Sequence, residues 1–325
     1  MFRTKLRTTP SESKISYQSS IMTIGSCFAD TIGNQLEENK FKVLANPFGV
    51  IFNPLSIFQL IQYTIGQSFP DEETYLVHDE VHKNFEFHSD FSATSKEELK
   101  LKIKGGINST HKFIRSAKWL IITLGTSVIY HKKSNSRLVA NCHKLPSKEF
   151  IRSILEVESI CQSFDGMFKN LLKLNPHINI ILTVSPVRHI KDTLEINSLS
   201  KSILRVASYQ ICKSYSQVQY FPAFEILLDD LRDYRFYNPD LLHPNEVAEK
   251  YIWDAFTSTY LENESMNILE KWEKVKKSLN HRPFHTHSKT FKNFQKKTVQ
   301  QLEELLAHLD VNKEIAKIKK LGNER

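Results

Sequence analysis

Ser20-Ile21-Met22-Thr23-Ile24-Gly25-Ser26-Cys27-Phe28-Ala29-Asp30 is the segment that sets the fold of this chain. Residues 20–24 form a short apolar run that stops at Gly25. Beyond it Phe28, Ile32 and Leu36 recur every four residues, as on one face of a helix. Strand, glycine turn and helix are therefore predicted, with Ser26 and Cys27 at the junction. A tight turn there exposes a side chain, and the helix N-terminus stabilises its anion. Neighbouring backbone N–H groups are then placed to receive an oxyanion. Glycine at position 25 lets the backbone turn without a side-chain clash.

The pattern continues outward from this unit. Lys42–Ala45 reads as a second strand, broken by Asn46-Pro47-Phe48-Gly49, and Pro54 suits the first turn of a helix carrying Leu55, Phe58, Leu60 and Ile61. Helices are predicted over 96–115, 150–174, 198–215 and 244–260, with Gly105-Gly106 expected to weaken or interrupt the first. Trp119–Leu124, 178–184 and 217–221 read as strands. Continuous apolar strands separated by helices imply an α/β chain whose parallel sheet is covered on both faces. Reactive residues in such sheets gather at the carboxyl ends of the strands. That rule selects Gly25-Ser26-Cys27, Asn46-Pro47-Phe48-Gly49, Gly125-Thr126-Ser127 and Ser185-Pro186-Val187-Arg188.

Composition narrows the class. The chain has 325 residues, 40% hydrophobic and 25% charged, enough apolar material for one large core or two modest ones. Nine glycines and eleven prolines argue against a disordered or fibrous chain. No apolar run is long enough for a membrane span, and Met1-Phe2-Arg3-Thr4-Lys5 has no apolar stretch behind it, so the expected compartment is the cytoplasm. Cys27, Cys142, Cys161 and Cys212 lie far apart without a C-x-x-C pair, which argues against a disulfide framework or a zinc site. No phosphate loop or dinucleotide fingerprint is present, and no cofactor is expected.

The net charge of +8 is unevenly spread. The segment 271–297 holds Lys271, Lys274, Lys276, Lys277, Arg282, Lys289, Lys292, Lys296 and Lys297. It reads as a solvated helical face plus a linker, so nucleic acid is not an expected partner. His281, His285 and His287 fall in the same stretch and read as a basic exposed loop, not a metal site. Residues 67–95, rich in acids, histidine and aromatics, read as an insertion held down by Phe85, Phe87 and Phe91. His78, His82, His88 and Asp90 within it read mostly as surface, with the substrate entrance as the alternative. The expected organisation is a catalytic domain over 1–261, with the insertion at about 67–95, and a basic helical extension over 262–325.

The second chemical element is Asn238-Pro239-Asp240-Leu241-Leu242-His243-Pro244, just before the last core helix. A carboxylate three residues before an imidazole in a proline-bounded loop can fix its tautomer and leave the other nitrogen as a base. Arg188 and His189, after the fourth strand, are placed to bind a substrate carboxylate or phosphate.

Strand-Gly-x-nucleophile near the start and Asp-x-x-His near the end of an α/β core resemble the SGNH/GDSL hydrolases. Ile24-Gly25-Ser26-Cys27-Phe28-Ala29-Asp30 resembles more closely the GSCFA family, within that superfamily. So do Asn46-Pro47-Phe48-Gly49-Val50-Ile51-Phe52-Asn53-Pro54, Thr123-Leu124-Gly125-Thr126-Ser127, Asn141-Cys142-His143-Lys144, Thr183-Val184-Ser185-Pro186-Val187-Arg188-His189 and Asp240-Leu241-Leu242-His243-Pro244. The resemblance spans about residues 15–260. It implies a three-layer α/β/α, flavodoxin-like fold with a parallel five-stranded sheet and an acyl-ester site. Asp240 and His243 match the acid and base, and Gly49 resembles the oxyanion glycine after the second strand. The third SGNH motif, Gly-x-Asn-Asp, is matched in part by Gly125-Thr126-Ser127-Val128, with Ser127 in place of the asparagine. Asn141 or His143 is the candidate to take over that task.

Two registers of the turn remain. Aligning Gly-Asp-Ser-Leu with Gly25-Ser26-Cys27-Phe28 makes Cys27 the nucleophile, whereas a shift by one makes it Ser26. Cys27 is preferred, because a thiolate at a helix N-terminus is readily activated. The expected activity is that of an esterase or acyltransferase acting through a covalent acyl-enzyme on a small-molecule or glycan acyl ester, or a thioester. The alternative is a ligand-binding protein that keeps the fold with little or no catalysis.

Overall fold

The computed structural model describes residues 3–280 and 288–323. Its centre is a sheet built from β1 (Ser20–Gly25), β2 (Lys42–Ala45), β6 (Trp119–Leu124), β10 (Asn179–Val184) and β11 (Val218–Phe221). Every pairing in it is parallel, and the order across the sheet is β2-β1-β6-β10-β11. Strand order reverses between β1 and β6. In an open α/β sheet that reversal leaves a crevice at the carboxyl ends of the two strands, because their connections run to opposite sides. Gly25 and Gly125 stand at this switch point.

Alternate residues of the strands feed two cores. Met22, Ile24, Leu120, Ile122, Leu124, Ile180, Leu182 and Val184 pack against helices α2 (Pro54–Gly66), α3 (Lys96–Ile114), α4 (Val157–Leu174) and α5 (Leu194–Ser214). Ile21, Trp119, Ile121, Ile181 and Phe221 face the other way. They meet Phe28, Ile32 and Leu36 of α1 (Cys27–Glu38) and Ile252, Trp253 and Phe256 of α7 (Glu246–Tyr260). Period-two strands between two helical layers give the three-layer α/β/α arrangement. A short helix, α6 (Ala223–Glu225), continues into a π-turn at Ile226–Leu231.

Two small antiparallel sheets decorate the open end. Residues 67–95 contain β3 (Tyr75–His78), β4 (Val81–Asn84) and β5 (Ser92–Ala93). Phe87 and Phe91 reach into the main core, and Phe85 joins Val139 and Phe150 in a satellite cluster. The second sheet pairs β7 (Val128–Lys132) with β8 (Leu138–Val139) and β9 (Phe150–Ile154). It corrects the single helix predicted over 150–174, since 150–154 is a strand and the helix begins at Val157. Phe150 is drawn out of a helical register by packing in the satellite cluster, a tertiary override of local periodicity. Gly105-Gly106 does not interrupt α3 either. A Cβ at Gly106 would lie 3.2 Å from the Phe91 ring, so the helix exchanges some propensity for close packing of the insertion.

The C-terminal helices α8 (Asn263–Leu279), α9 (Lys289–Leu305) and α10 (Asn312–Asn323) are amphipathic. Trp272, Val275, Leu302, Leu305 and Val311 join the α1/α7 core, while Lys271, Lys274, Lys277, Lys289, Lys292, Lys296 and Lys297 are exposed. The Trp272 indole N–H donates to Glu38 O at 2.9 Å, and Lys276 pairs with Glu38 at 2.9 Å. Among the described residues, no helix is long and apolar enough to cross a membrane.

Candidate active site

The junction between β1 and α1 is tightly held. Gly25 has φ +138°, and a Cβ there would lie 2.1 Å from the Thr123 carbonyl oxygen, so only glycine fits beside β6. Ser26 N–H donates to that oxygen at 3.0 Å, and Ile51 N–H donates to Gly25 O at 2.8 Å. The Asn46 side chain accepts from Gly25 N–H at 3.0 Å. The turn is thus clamped between β6 and the loop after β2.

This clamp separates the two candidate nucleophiles. Ser26 is the N-cap of α1, yet its hydroxyl makes no capping bond and is fully buried without a partner. Cys27 is the first helical residue and is partly exposed. Burial pushes its thiol up, Lys201 pulls it down, Asp30 pushes it up, and the N–H groups of Phe28 and Cys27 itself pull it down. Asp30 lies one turn along α1. Burial raises its carboxyl, opposed first by the Asn46 amide and then by His88.

Gly49 has φ +72°, and its N–H donates to Asn46 O at 2.8 Å, closing the turn after β2. A Cβ on it would meet the His88 side chain, its Cβ at 2.7 Å and its ring at 2.8 Å, so the glycine makes room for the insertion to close over the loop. His88 pairs with Asp90 at 3.1 Å. Ser127 ends the short segment between β6 and β7. Its hydroxyl is buried without a partner, while its N–H donates to Ser200 Oγ at 2.7 Å. Asn141 and His143 bind the insertion. His143 Nε2 meets Asn84 O at 2.8 Å, and Asn141 accepts from His143 N–H at 2.9 Å and donates to Ser89 at 3.1 Å. Burial lowers the His143 imidazole below its ordinary value.

Asp240 and His243 form a dyad. His243 Nδ1 lies 2.6 Å from Asp240 Oδ2, and the other carboxylate oxygen accepts from Leu242 N–H at 2.9 Å and His243 N–H at 3.0 Å. Those backbone donors, with the imidazole, hold the carboxyl down at about 2. Their loop is stapled to the end of β10: Arg188 N–H donates to Leu242 O at 3.3 Å and its guanidinium to Leu241 O at 3.2 Å. The same guanidinium lies 4.2 Å from the Tyr237 ring centroid. Arg188 is thus engaged with the dyad loop. His243 Nε2 makes no hydrogen bond to Cys27 or Ser26 among the described residues.

Sequence reasoning missed one charged group at this sheet end. Lys201 is 1% exposed, and its ammonium donates to Gly125 O at 2.7 Å and Ser185 O at 2.8 Å, the first carbonyls beyond β6 and β10. Burial brings it down to about 7, opposed by Cys27. His189 is nearby. Its ring is edge-on to Phe52 at 5.0 Å, its Nε2 is buried without a partner, and burial, Lys201 and His243 together bring it down to about 3. The available signal was a lysine on the buried stripe Lys201, Leu204, Ser208 and Ile211 of α5. A helical face of this kind rarely buries a charge without a reason.

His281, His285 and His287 lie outside the described residues. Among the described residues, no group of three or more His, Cys, Asp or Glu is arranged to hold a metal ion.

Comparison with known proteins follows this geometry. A search of curated protein sequences found no match. Among solved structures, the chain is similar to a Streptococcus pneumonia protein provisionally named a platelet activating factor. The TM-score is 0.39 at 11% identity, covering 74% of this chain and 82% of that one. It is also similar to a carbohydrate esterase family 3 protein from Talaromyces cellulolyticus. There the TM-score is 0.36 at 9% identity, covering 78% and 99%. Neither likeness is close enough to bear on chemistry. The sequence profiles are more direct: the GSCFA family matches residues 20–256, and the GSCFA domain protein, C-terminal domain, matches residues 272–323. The Gly25-Ser26-Cys27-Phe28-Ala29 junction at the switch point, and the core built around it, therefore identify the chain as a member of the GSCFA family.

Proposed function

We propose that this chain is an esterase or acyltransferase that works through a Cys27 acyl-enzyme. The observation that carries the reading is the contrast at the turn. The Cys27 thiol is partly open at a helix N-terminus, whereas the Ser26 hydroxyl is fully buried. The Asp240–His243 dyad stands on a loop stapled to the segment after β10, at the same end of the sheet, which supports its role as the base.

In this reading Cys27 Sγ attacks the acyl carbonyl carbon and its proton passes to His243 Nε2. Asp240, held anionic, stabilises the imidazolium. The ester C–O bond then breaks, the leaving oxygen takes the proton, and the acyl group stays as a thioester on Cys27. Water or an acceptor hydroxyl reverses the sequence, breaking the C–S bond and giving its proton to His243. Thioesters exchange readily with thiols, so transfer stands beside hydrolysis. Ester and thioester substrates with a small-molecule or glycan alcohol fit the reading.

The second reading, a ligand-binding protein on the same fold, is favoured by two observations. The N–H of Gly49 is engaged with Asn46 O, and no hydrogen bond joins His243 to Cys27. Turnover of aryl acetates and acyl thioesters by the wild type, Cys27→Ala, Ser26→Ala and His243→Ala separates the two. Loss of turnover in Cys27→Ala and His243→Ala with retention in Ser26→Ala is the expected result. Equal rates in all four overturn the enzyme reading.

A further inference from the structure

Lys201 has no part in the acid–base scheme above, yet it is the charged group most deeply embedded at the switch point. Its aliphatic stem rises through the buried face of α5, among Asn197, Ser200, Leu204 and Ser208. Its nitrogen is pinned between Gly125 O and Ser185 O, so it is centred under the ends of β6 and β10. Across the sheet, Gly25 is in register with Thr123, and Thr123 with Thr183. The hydroxyls of Ser26, Thr123, Thr183 and Ser127 are all buried without partners. Among the described residues, this end of the sheet therefore carries one buried cation, reaching in from α5, and four buried hydroxyls without partners. An apolar core gains nothing from such a set, since each unpaired polar atom and each buried charge costs free energy.

We propose that Lys201 is a positioning residue for Cys27: its ammonium, fixed by the two strand-end carbonyls, favours the thiolate that forms when the Cys27 proton passes to His243. The proposal rests on Cys27 being the reactive group. The donor count suits this role: the ammonium gives two of its three N–H bonds to the two carbonyls and keeps the third for an anion. The proton balance is unchanged, since the S–H bond breaks and the N–H bond forms on His243 Nε2.

The other titratable groups bear on the pair as follows. Asp30, on α1 with Cys27, opposes the thiolate. His189, on the loop after β10, faces Lys201 and stays neutral near pH 7, being held at about 3. His243 acts on His189 from the far side. Among the described groups that shift Cys27, Lys201 is the only cationic side chain.

The test is the pH profile of Cys27 alkylation by iodoacetamide, followed by mass spectrometry of the tryptic peptide 15–40, in which Cys27 is the sole cysteine. Cys161 is read in the same digest as the internal reference. The wild-type profile for Cys27 is expected to show a reactive limb near neutral pH that Cys161 lacks. Lys201→Met is expected to slow Cys27 near pH 7.5 by about tenfold or more, the size of one unit of thiol ionisation set by a neighbouring cation. The two profiles should converge above the ordinary thiol range, and Lys201→Arg should keep part of the neutral limb. A folded Lys201→Met with an unchanged profile overturns the proposal, as does loss of the limb in His243→Ala but not in Lys201→Met. Should neither Lys201 variant fold, the wild-type profile decides alone, because a single limb in the ordinary thiol range also overturns it. The readout is independent of turnover. A neutral limb in a protein whose Cys27→Ala variant keeps full esterase activity refutes the catalytic role of Cys27 and leaves this assignment standing.

Discussion

Replacing Gly25 by alanine puts the junction under direct load. The new Cβ would lie 2.1 Å from Thr123 O, 2.9 Å from Thr123 C and 3.0 Å from Thr123 N, all backbone atoms of a central strand. An ordinary carbon–oxygen contact is about 3.3 Å, so the end of β1 must retreat from β6 by roughly 1 Å. That movement breaks the buried Ser26 N–H bond to Thr123 O, at a cost of about 1–3 kcal/mol. Holding a side chain at a φ of +138° adds about 1–3 kcal/mol. The expected loss is therefore about 2–6 kcal/mol, a large share of the ~5–15 kcal/mol that keeps a protein folded. Urea denaturation followed by circular dichroism measures it, with Gly105→Ala as the matched control. A Cβ at Gly105 meets nothing within 4 Å and sits inside a helix, so that variant should gain about 0.5–1 kcal/mol. A Gly25→Ala midpoint equal to wild type would refute the claim that this glycine is sterically required.

Two further outcomes follow from the same geometry. Ser26→Ala removes a fully buried hydroxyl that has no partner. It should leave the denaturation midpoint unchanged or raise it, by up to about 1–3 kcal/mol, and a clear loss of stability would show that the hydroxyl has a partner after all. Asp240 is held at about 2, below its ordinary 3.8, so it contributes stability above pH ~4 that is lost as pH falls towards 2. Asp240→Asn should be less stable than wild type at pH 6, with the gap closing between pH ~4 and ~2. A gap that stays constant down to pH 2 would contradict the hydrogen-bonded carboxylate.

The main elements were legible because their signals are local. Lys42–Ala45, the start of the helix at Pro54 and Trp119–Leu124 stand where hydrophobic run, proline and glycine put them. Elements shaped by distant packing were not. Residues 150–154 and the strand at 128–132 pair with each other, and Phe150 packs against Phe85, more than sixty positions away. The helical periodicity read through 150–174 carries no trace of that partner.

The candidate site divides in the same way. By itself the sequence determined the parallel sheet, the strand-glycine-helix junction and the Asp240–His243 pairing, since a carboxylate and an imidazole three residues apart meet through their own loop. It left Ser26 and Cys27 as rivals, because adjacent residues at a turn differ only in direction. Tertiary structure decided which one is accessible: close approach of β6 to Gly25 buries the Ser26 hydroxyl and leaves the Cys27 thiol partly open. It also brought Lys201, from a helix far along the chain, to the carboxyl ends of β6 and β10. A lysine on a helical stripe looks solvated in sequence, and only the packing of α5 against the ends of β6 and β10 makes it a buried cation.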